Sequence, residues 1–233
     1  TANTTAAGNT AVGSYSGETV TTGANNTFLG HKAGRVTTTG TQNTAVGVES
    51  LVANTTGNYN SGLGRRSLYA NTTGSNNTAL GQDALNANTT ADNNTAVGLN
   101  ALYANTTSPN NVAVGYAALD AQTTGAGYNV AVGYNAMTAN TSGTENTAAG
   151  WNALGANTTG SYNTAFGGGS LDANTTASYN TAFGFSSLST STTAQRNAAV
   201  GYQALTAATT GSDNAVLGYL AGTAVTTGIE NTL

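Results

Sequence analysis

N-T-A-V-G-V-E-S-L-V-A-N-T-T-G-N-Y, running from Asn43 to Tyr59, is one unit of a pattern that fills the chain. Its opening asparagine returns every 17 residues, at Asn9, Asn26, Asn43, Asn60, Asn77, Asn94 and Asn111. After one extra residue the series resumes at Asn129, Asn146, Asn163, Asn180, Asn197, Asn214 and Asn231. A glycine follows four residues behind each of the first thirteen anchors, from Gly13 through Gly98 to Gly218. Self-similarity at a short fixed period is the signature of a solenoid or an array. Counting the anchor as slot one gives a coordinate system for everything else.

Seventeen residues are too few for the helix pairs of the common longer repeats. The T-A-V run suits a pleated strand, and glycine and asparagine supply turn positions with positive φ. A second short run, A-L-x-A, is closed by N-T-T-G. Repeated Gly, Asn and paired Thr disfavour a helix at every coil. The pattern predicts an all-β fold, a parallel β-solenoid of about thirteen 17-residue coils with two short strands per coil. One solenoid is expected over residues 1–233. Variant coils over 9–42 and 214–230 carry Gly17, Gly34 and Gly222 in the slot that holds leucine elsewhere. The chain opens and closes in mid-repeat, as a piece of a longer array would.

Two apolar columns are the expected core. Slot four reads Val12, Leu29, Val46, Leu63, Leu80 and so on to Leu217, and slot nine reads Leu51, Leu68, Leu85 and onward to Leu205. The anchors Asn43, Asn60, Asn77, Asn94, Asn111, Asn129, Asn146, Asn163 and Asn180 are expected to stack as an amide ladder at strand spacing. The second asparagine of the unit matches the N-glycosylation pattern at Asn54, Asn71, Asn88, Asn105, Asn140, Asn157 and Asn174. Turn chemistry is the competing reading there, because the motif occupies a tight-turn slot.

Composition narrows the function. Charged residues are 6% of the chain, with five cations, nine carboxylates and a net charge of −4. Five cations spread over the chain offer no phosphate footprint, so no nucleic-acid partner is expected. No run is long enough to insert in a membrane as a helix. The single histidine, His31, leaves no Ser-His-Asp set and no His pair for zinc. The carboxylates do not recur in a fixed slot, as they do in calcium-binding solenoids. The chain reads as a non-enzyme with no catalytic residues, no metal ligands and no cofactor.

Slot six is the promising feature. It reads Leu99, Tyr116, Tyr134, Trp151, Gly168, Phe185, Tyr202 and Tyr219, a stripe fit for a subunit interface or, since rings stack on sugars, for surface carbohydrate. A second column, Tyr59, Tyr128, Tyr162 and Tyr179, precedes the anchor.

The unit N-T-A-V-G-x-x-A-L, with its variant N-T-F-L-G-H-K-A-G at Asn26 to Gly34, resembles the head repeats of trimeric autotransporter adhesins and the Asn-Thr-Ala-x-Gly repeats of phage tail-fibre proteins. That resemblance implies a left-handed β-roll, a homotrimer, and adhesion at a cell surface or virion. The 17-residue unit departs from an adhesin head repeat of about 14 residues. The expected function is an extracellular structural or adhesive rod. A head-to-tail filament and an ice-binding solenoid, the latter on the Thr columns, stand beside it.

Overall fold

The computed structural model describes residues 6–233; Thr1–Thr5, which belong to the opening partial repeat, lie outside the described residues. The chain divides into two compact units, Thr1–Val114 and Gly115–Leu233. Where the sequence reads as one solenoid over 1–233, the division falls inside coil seven, Asn111 to Tyr128, the coil with the extra residue.

Unit 1 holds β1 (Thr10–Val12), β2 (Thr27–Leu29), β3 (Thr44–Val46), β4 (Ser61–Leu63), β5 (Thr78–Leu80), β6 (Thr95–Val97) and β7 (Val112–Val114). Unit 2 holds β8 (Val130–Val132), β9 (Thr147–Ala149), β10 (Thr164–Phe166), β11 (Thr181–Phe183), β12 (Ala198–Val200) and β13 (Ala215–Leu217). Within each unit every strand pairs in parallel with the next one along the chain, slot opposite slot. Thr44 lies between Thr27 and Ser61, and Phe183 between Phe166 and Val200. Among the described residues there is no helix. Each unit is an all-β parallel solenoid.

Each coil has one strand rather than two. The A-L-x-A run, expected as a second strand, is a chain of turns over slots six to eleven. The slot-nine leucines sit in the left-handed region, with φ of 53° at Leu51 and 51° at Leu85. That conformation costs a branched residue on the order of 1–2 kcal/mol. Full burial of the side chain, worth roughly 1.5–3 kcal/mol, offsets it.

The core differs from expectation in its other column. Slot nine is buried throughout its leucine run, from Leu51 to Leu205. Slot four is not: Val12 is 56% exposed, Phe183 51% and Leu217 73%. A strand turns successive side chains to opposite faces, so only one of slots three and four can point inward. The inward one is slot three, Ala45, Ala79, Ala96, Ala113 and their successors, all buried. Small alanines there leave room for the leucines across the coil.

Asparagine does the rest. The Asn43 amide Nδ2 donates to the Gly57 carbonyl at 2.9 Å, fastening the start of its own coil to the end. Its Oδ1 accepts the backbone N–H of Asn60, the next anchor, at 2.9 Å. The same two bonds recur at Asn60 with Gly74 and Asn77, and at Asn146 with Gly160 and Asn163. The second asparagine reaches the same carbonyl: Asn54 Nδ2 donates to Gly57 O at 3.0 Å, and Asn71 to Gly74 O at 3.0 Å. It also links coils, with Asn71 Nδ2 donating to Asn54 Oδ1 at 2.9 Å. Two Asn columns thus converge on one carbonyl per coil.

Two irregularities have local causes. In the variant coils, Gly17 and Gly34 lie against Phe28, which fills slot three where most coils have alanine; a Cβ at Gly34 would overlap the Phe28 ring. Val216 plays the same part against Gly222, whose added Cβ would approach its methyls to 3.1 Å. The large residue has moved to the other side of the coil, and the leucine has shrunk to match. In coil seven the extra residue sits between Gly125 and Gly127, both at positive φ, and Gln122 replaces the second asparagine. Its longer side chain accepts from Asn140 Nδ2 and donates to the Thr124 carbonyl at 2.6 Å.

Charges, though few, are placed by register. Lys32–Glu49, Arg66–Asp83 and Arg196–Asp213 are ion pairs one coil apart in a single slot, at 3.6, 3.6 and 2.6 Å, and Arg35 reaches Glu18 at 3.9 Å.

Phe28→Ala should lower the unfolding free energy by about 3–5 kcal/mol, and Gly34→Leu alone should also destabilise. The double substitution rebuilds the Ala–Leu pairing of the regular coils and should recover most of the loss, as read by denaturant unfolding in a double-mutant cycle. Burial pushes the Asp120 and Asp172 carboxyls above the ordinary carboxylate range, whereas the hydrogen-bonded Arg196 holds Asp213 below it. With folded values raised, Asp120 and Asp172 make the fold gain stability as pH falls through that range; Asp213 has the opposite sign and loses its contribution as pH drops through its depressed value. Asp120→Asn should therefore stabilise the chain near neutral pH, and Asp213→Asn should weaken it there, in unfolding free energies measured between about pH 7 and pH 3.

Candidate functional site: an exposed apolar and aromatic face

The outward side of the strands is the surface that the repeat leaves uncovered. Slots two and four share it by strand alternation. Slot two is largely threonine and exposed, as at Thr27, Thr44 and Thr164. Slot four carries a large apolar side chain in nearly every coil, and Ala149 is the smallest. In unit 2, Phe166 and Phe183 stack with ring centroids 4.9 Å apart and planes 6° from parallel. The spacing follows from the strand pairing that places identical slots side by side.

The glycine in slot five ends each strand and brings slot six out beside it. Gly47 has φ of 133°, and an added Cβ would lie 2.6 Å from the Gly64 carbonyl oxygen, so no other residue fits. Beyond this turn the predicted stripe is exposed along its length: Leu99 in unit 1, and Tyr116, Tyr134, Trp151, Phe185, Tyr202 and Tyr219 in unit 2. Tyr116 stacks on Tyr134 at 5.1 Å, Phe185 on Tyr202 at 5.6 Å and Tyr202 on Tyr219 at 5.3 Å, each within 15° of parallel. Trp151 leans across Gly168 to reach Phe185 two coils on, at 6.2 Å and 54°. Gly168 is required there, because a Cβ would meet the indole.

This geometry bears on what the stripe can hold. Rings in near-parallel columns turn their faces to one another and their edges outward. Sugar stacking needs an open face, and Tyr202, stacked on both sides, has none free. Edges and aliphatic groups together make a level apolar surface instead.

At the other end of the strand, Tyr162 and Tyr179 stack at 5.0 Å and 4°. The Glu145 carboxylate, one coil away, raises the Tyr162 phenol above its ordinary pKa by its charge and by the hydrogen bond it accepts. Slot seventeen therefore forms a short column too, and Glu145 occupies that slot between Tyr128 and Tyr162.

The remaining predicted residues lie inside. The ladder members Asn43, Asn60, Asn77, Asn94, Asn111, Asn129, Asn146, Asn163 and Asn180 are all fully buried and serve the coil. The seven glycosylation candidates are corrected by the structure: Asn54, Asn71, Asn88, Asn105, Asn140, Asn157 and Asn174 are fully buried as well. Their amide nitrogens, the atoms a sugar would occupy, are spent on bonds such as Asn157 Nδ2 to Asn140 Oδ1 at 2.8 Å and to Gly160 O at 3.0 Å. The acceptor motif arises because Thr-Thr follows the buried asparagine at the turn. His31 stands exposed in slot six with the Tyr15 ring edge-on at 6.0 Å.

Sequence reasoning found the stripe but assigned slot four to the core. The signal that separates them is size: slot three is almost always Ala, a residue too small to make a core alone but suited to packing under Leu from the facing turn. Comparison with protein-family models, with curated proteins and with solved structures finds no match.

Proposed function

We propose that the chain is a non-enzymatic, extracellular structural or adhesive solenoid that assembles as a homotrimer through the exposed face of slots four and six. One observation carries the reading. Phe166, Phe183 and Leu217 in slot four, with Tyr134, Trp151, Tyr202 and Tyr219 in slot six, are 43–73% exposed in a single chain. Side chains of this kind cover about 150–250 Å² each, so the half-exposed face of unit 2 amounts to on the order of 1,000 Å². A soluble monomer rarely leaves more than a few hundred Å² of contiguous apolar surface open, and a stable interface needs roughly 800 Å² from each partner. The stacked rings are ordered before association, which lowers the entropy lost on docking. The number three comes from the resemblance to trimeric adhesin heads and tail-fibre repeats, as does the extracellular setting.

Sedimentation of the purified chain should give a discrete three-chain species. Phe183→Asp, which points a charge outward, should dissociate it while circular dichroism and the unfolding midpoint of the separated chain stay close to the parent. A monomer at all accessible concentrations, or assembly indifferent to Phe183→Asp, would overturn the proposal.

A further inference from the structure

Four of the five cations fall between residues 32 and 66. Coils two to four, Asn26 to Asn76, hold Lys32, Arg35, Arg65 and Arg66; Glu49 within them and Glu18 and Asp83 in the flanking coils pair with three of these cations, in a chain whose net charge is −4. Beside them lies a depression of about 220 Å³. Its origin is a long–short–long sequence down slot ten: Arg35, Val52 and Tyr69 occupy that slot in three successive coils. Arg35 and Tyr69 line it together with the apolar Val36, Val52 and Ala53 and the Lys32–Glu49 pair. The Arg66 guanidinium sits 4.7 Å over the Tyr69 ring and braces it.

The geometry points to a binding site in unit 1 for the acidic pyranose residue of a polysaccharide. The volume is below that of drug-sized pockets and suits a single sugar ring. Arg35 is held only loosely, 3.9 Å from Glu18 with both side chains 40% or more exposed. Such a pair contributes little and exchanges readily for a ligand carboxylate, which a guanidinium can grip with two hydrogen bonds. Tyr69, with no stacked aromatic partner, and the two valines offer apolar contact to the C–H face of the ring, and Glu49 and Lys32 supply an acceptor and a donor for its hydroxyls. The site is confined to unit 1 and does not depend on trimer formation through the outward face.

The test is titration of the full chain with methyl glucuronide, with methyl glucoside and sodium sulfate as controls, followed by amide shifts in ¹H–¹⁵N spectra. Glucuronide should move the amides of Val36, Val52 and Tyr69, with an affinity that falls as salt rises. The glucoside should bind at least about tenfold more weakly, and Arg35→Gln should cost the glucuronide about tenfold, as loss of a charge-assisted pair does. Arg196→Gln, in the other unit, should change nothing. Equal response to glucoside, equal affinity for sulfate, or unmoved amides at these three positions would each overturn the proposal. None of these readouts depends on the number of chains in the assembly.

Discussion

A single backbone carbonyl per coil, at slot fifteen, holds this architecture together. At Gly57 it accepts from Asn43, fourteen residues before it, and from Asn54, three before it, so both of its lone pairs are occupied. The first bond closes the coil and the second fixes the turn that leads back to the next anchor. Loss of either amide costs one hydrogen bond, about 0.5–1.5 kcal/mol, and leaves the carbonyl to the other, as Gly211 O is left to Asn197 where Ala208 replaces the second asparagine. Asparagine is required because its carboxamide donates and accepts at once. Aspartate lacks the donor, and serine lacks the reach.

The ladder shows that requirement at its defects. Ser191 takes the place of the second asparagine in coil eleven, after Asn157 and Asn174, and Ala208 follows it in coil twelve. Asn174 Oδ1 and Ser191 Oγ are then left buried without a partner. Coil seven solves a related problem differently. An extra residue displaces its turn, and the longer Gln122 bridges the distance to Asn140. Stability in such an array is a sum over coils and their neighbours, which lets one coil carry a defect that the next ones absorb.

Much of this was legible in the sequence. The 17-residue period and the recurrence of Gly47 and its equivalents after each anchor predict parallel coils in register, and the registers of β2 to β4 follow slot for slot. Two things were not legible, for physical reasons. A three-residue strand gives period-two alternation too few positions to declare which face is inward, and hydropathy alone favours valine over alanine. The burial of Ala45 beneath Val46's outward side reverses that choice. Nor does local propensity announce a leucine at φ near 52°; Leu68 and Leu102 adopt it because the core across the coil needs a large side chain from a tight turn. The glycosylation motif misled for the same reason: Asn54-Thr55-Thr56 is legible as a surface acceptor only until the asparagine is seen to be the inward residue of the turn.

The inward slots carry the fold, and that leaves the outward ones free. Slots one, three, nine and twelve vary within narrow limits, whereas slot six runs through Ser14, His31, Val48, Arg65, Gln82 and Leu99 in unit 1 and, Gly168 apart, through rings in unit 2. Outward residues still meet their counterparts one coil away, so each column sets its own chemistry. Opposite charges pair, as at Arg196 and Asp213, and rings stack, as at Tyr202 and Tyr219. One fold thereby presents a charged edge in unit 1 and an apolar face in unit 2, each built by changing side chains whose removal leaves the asparagine framework intact.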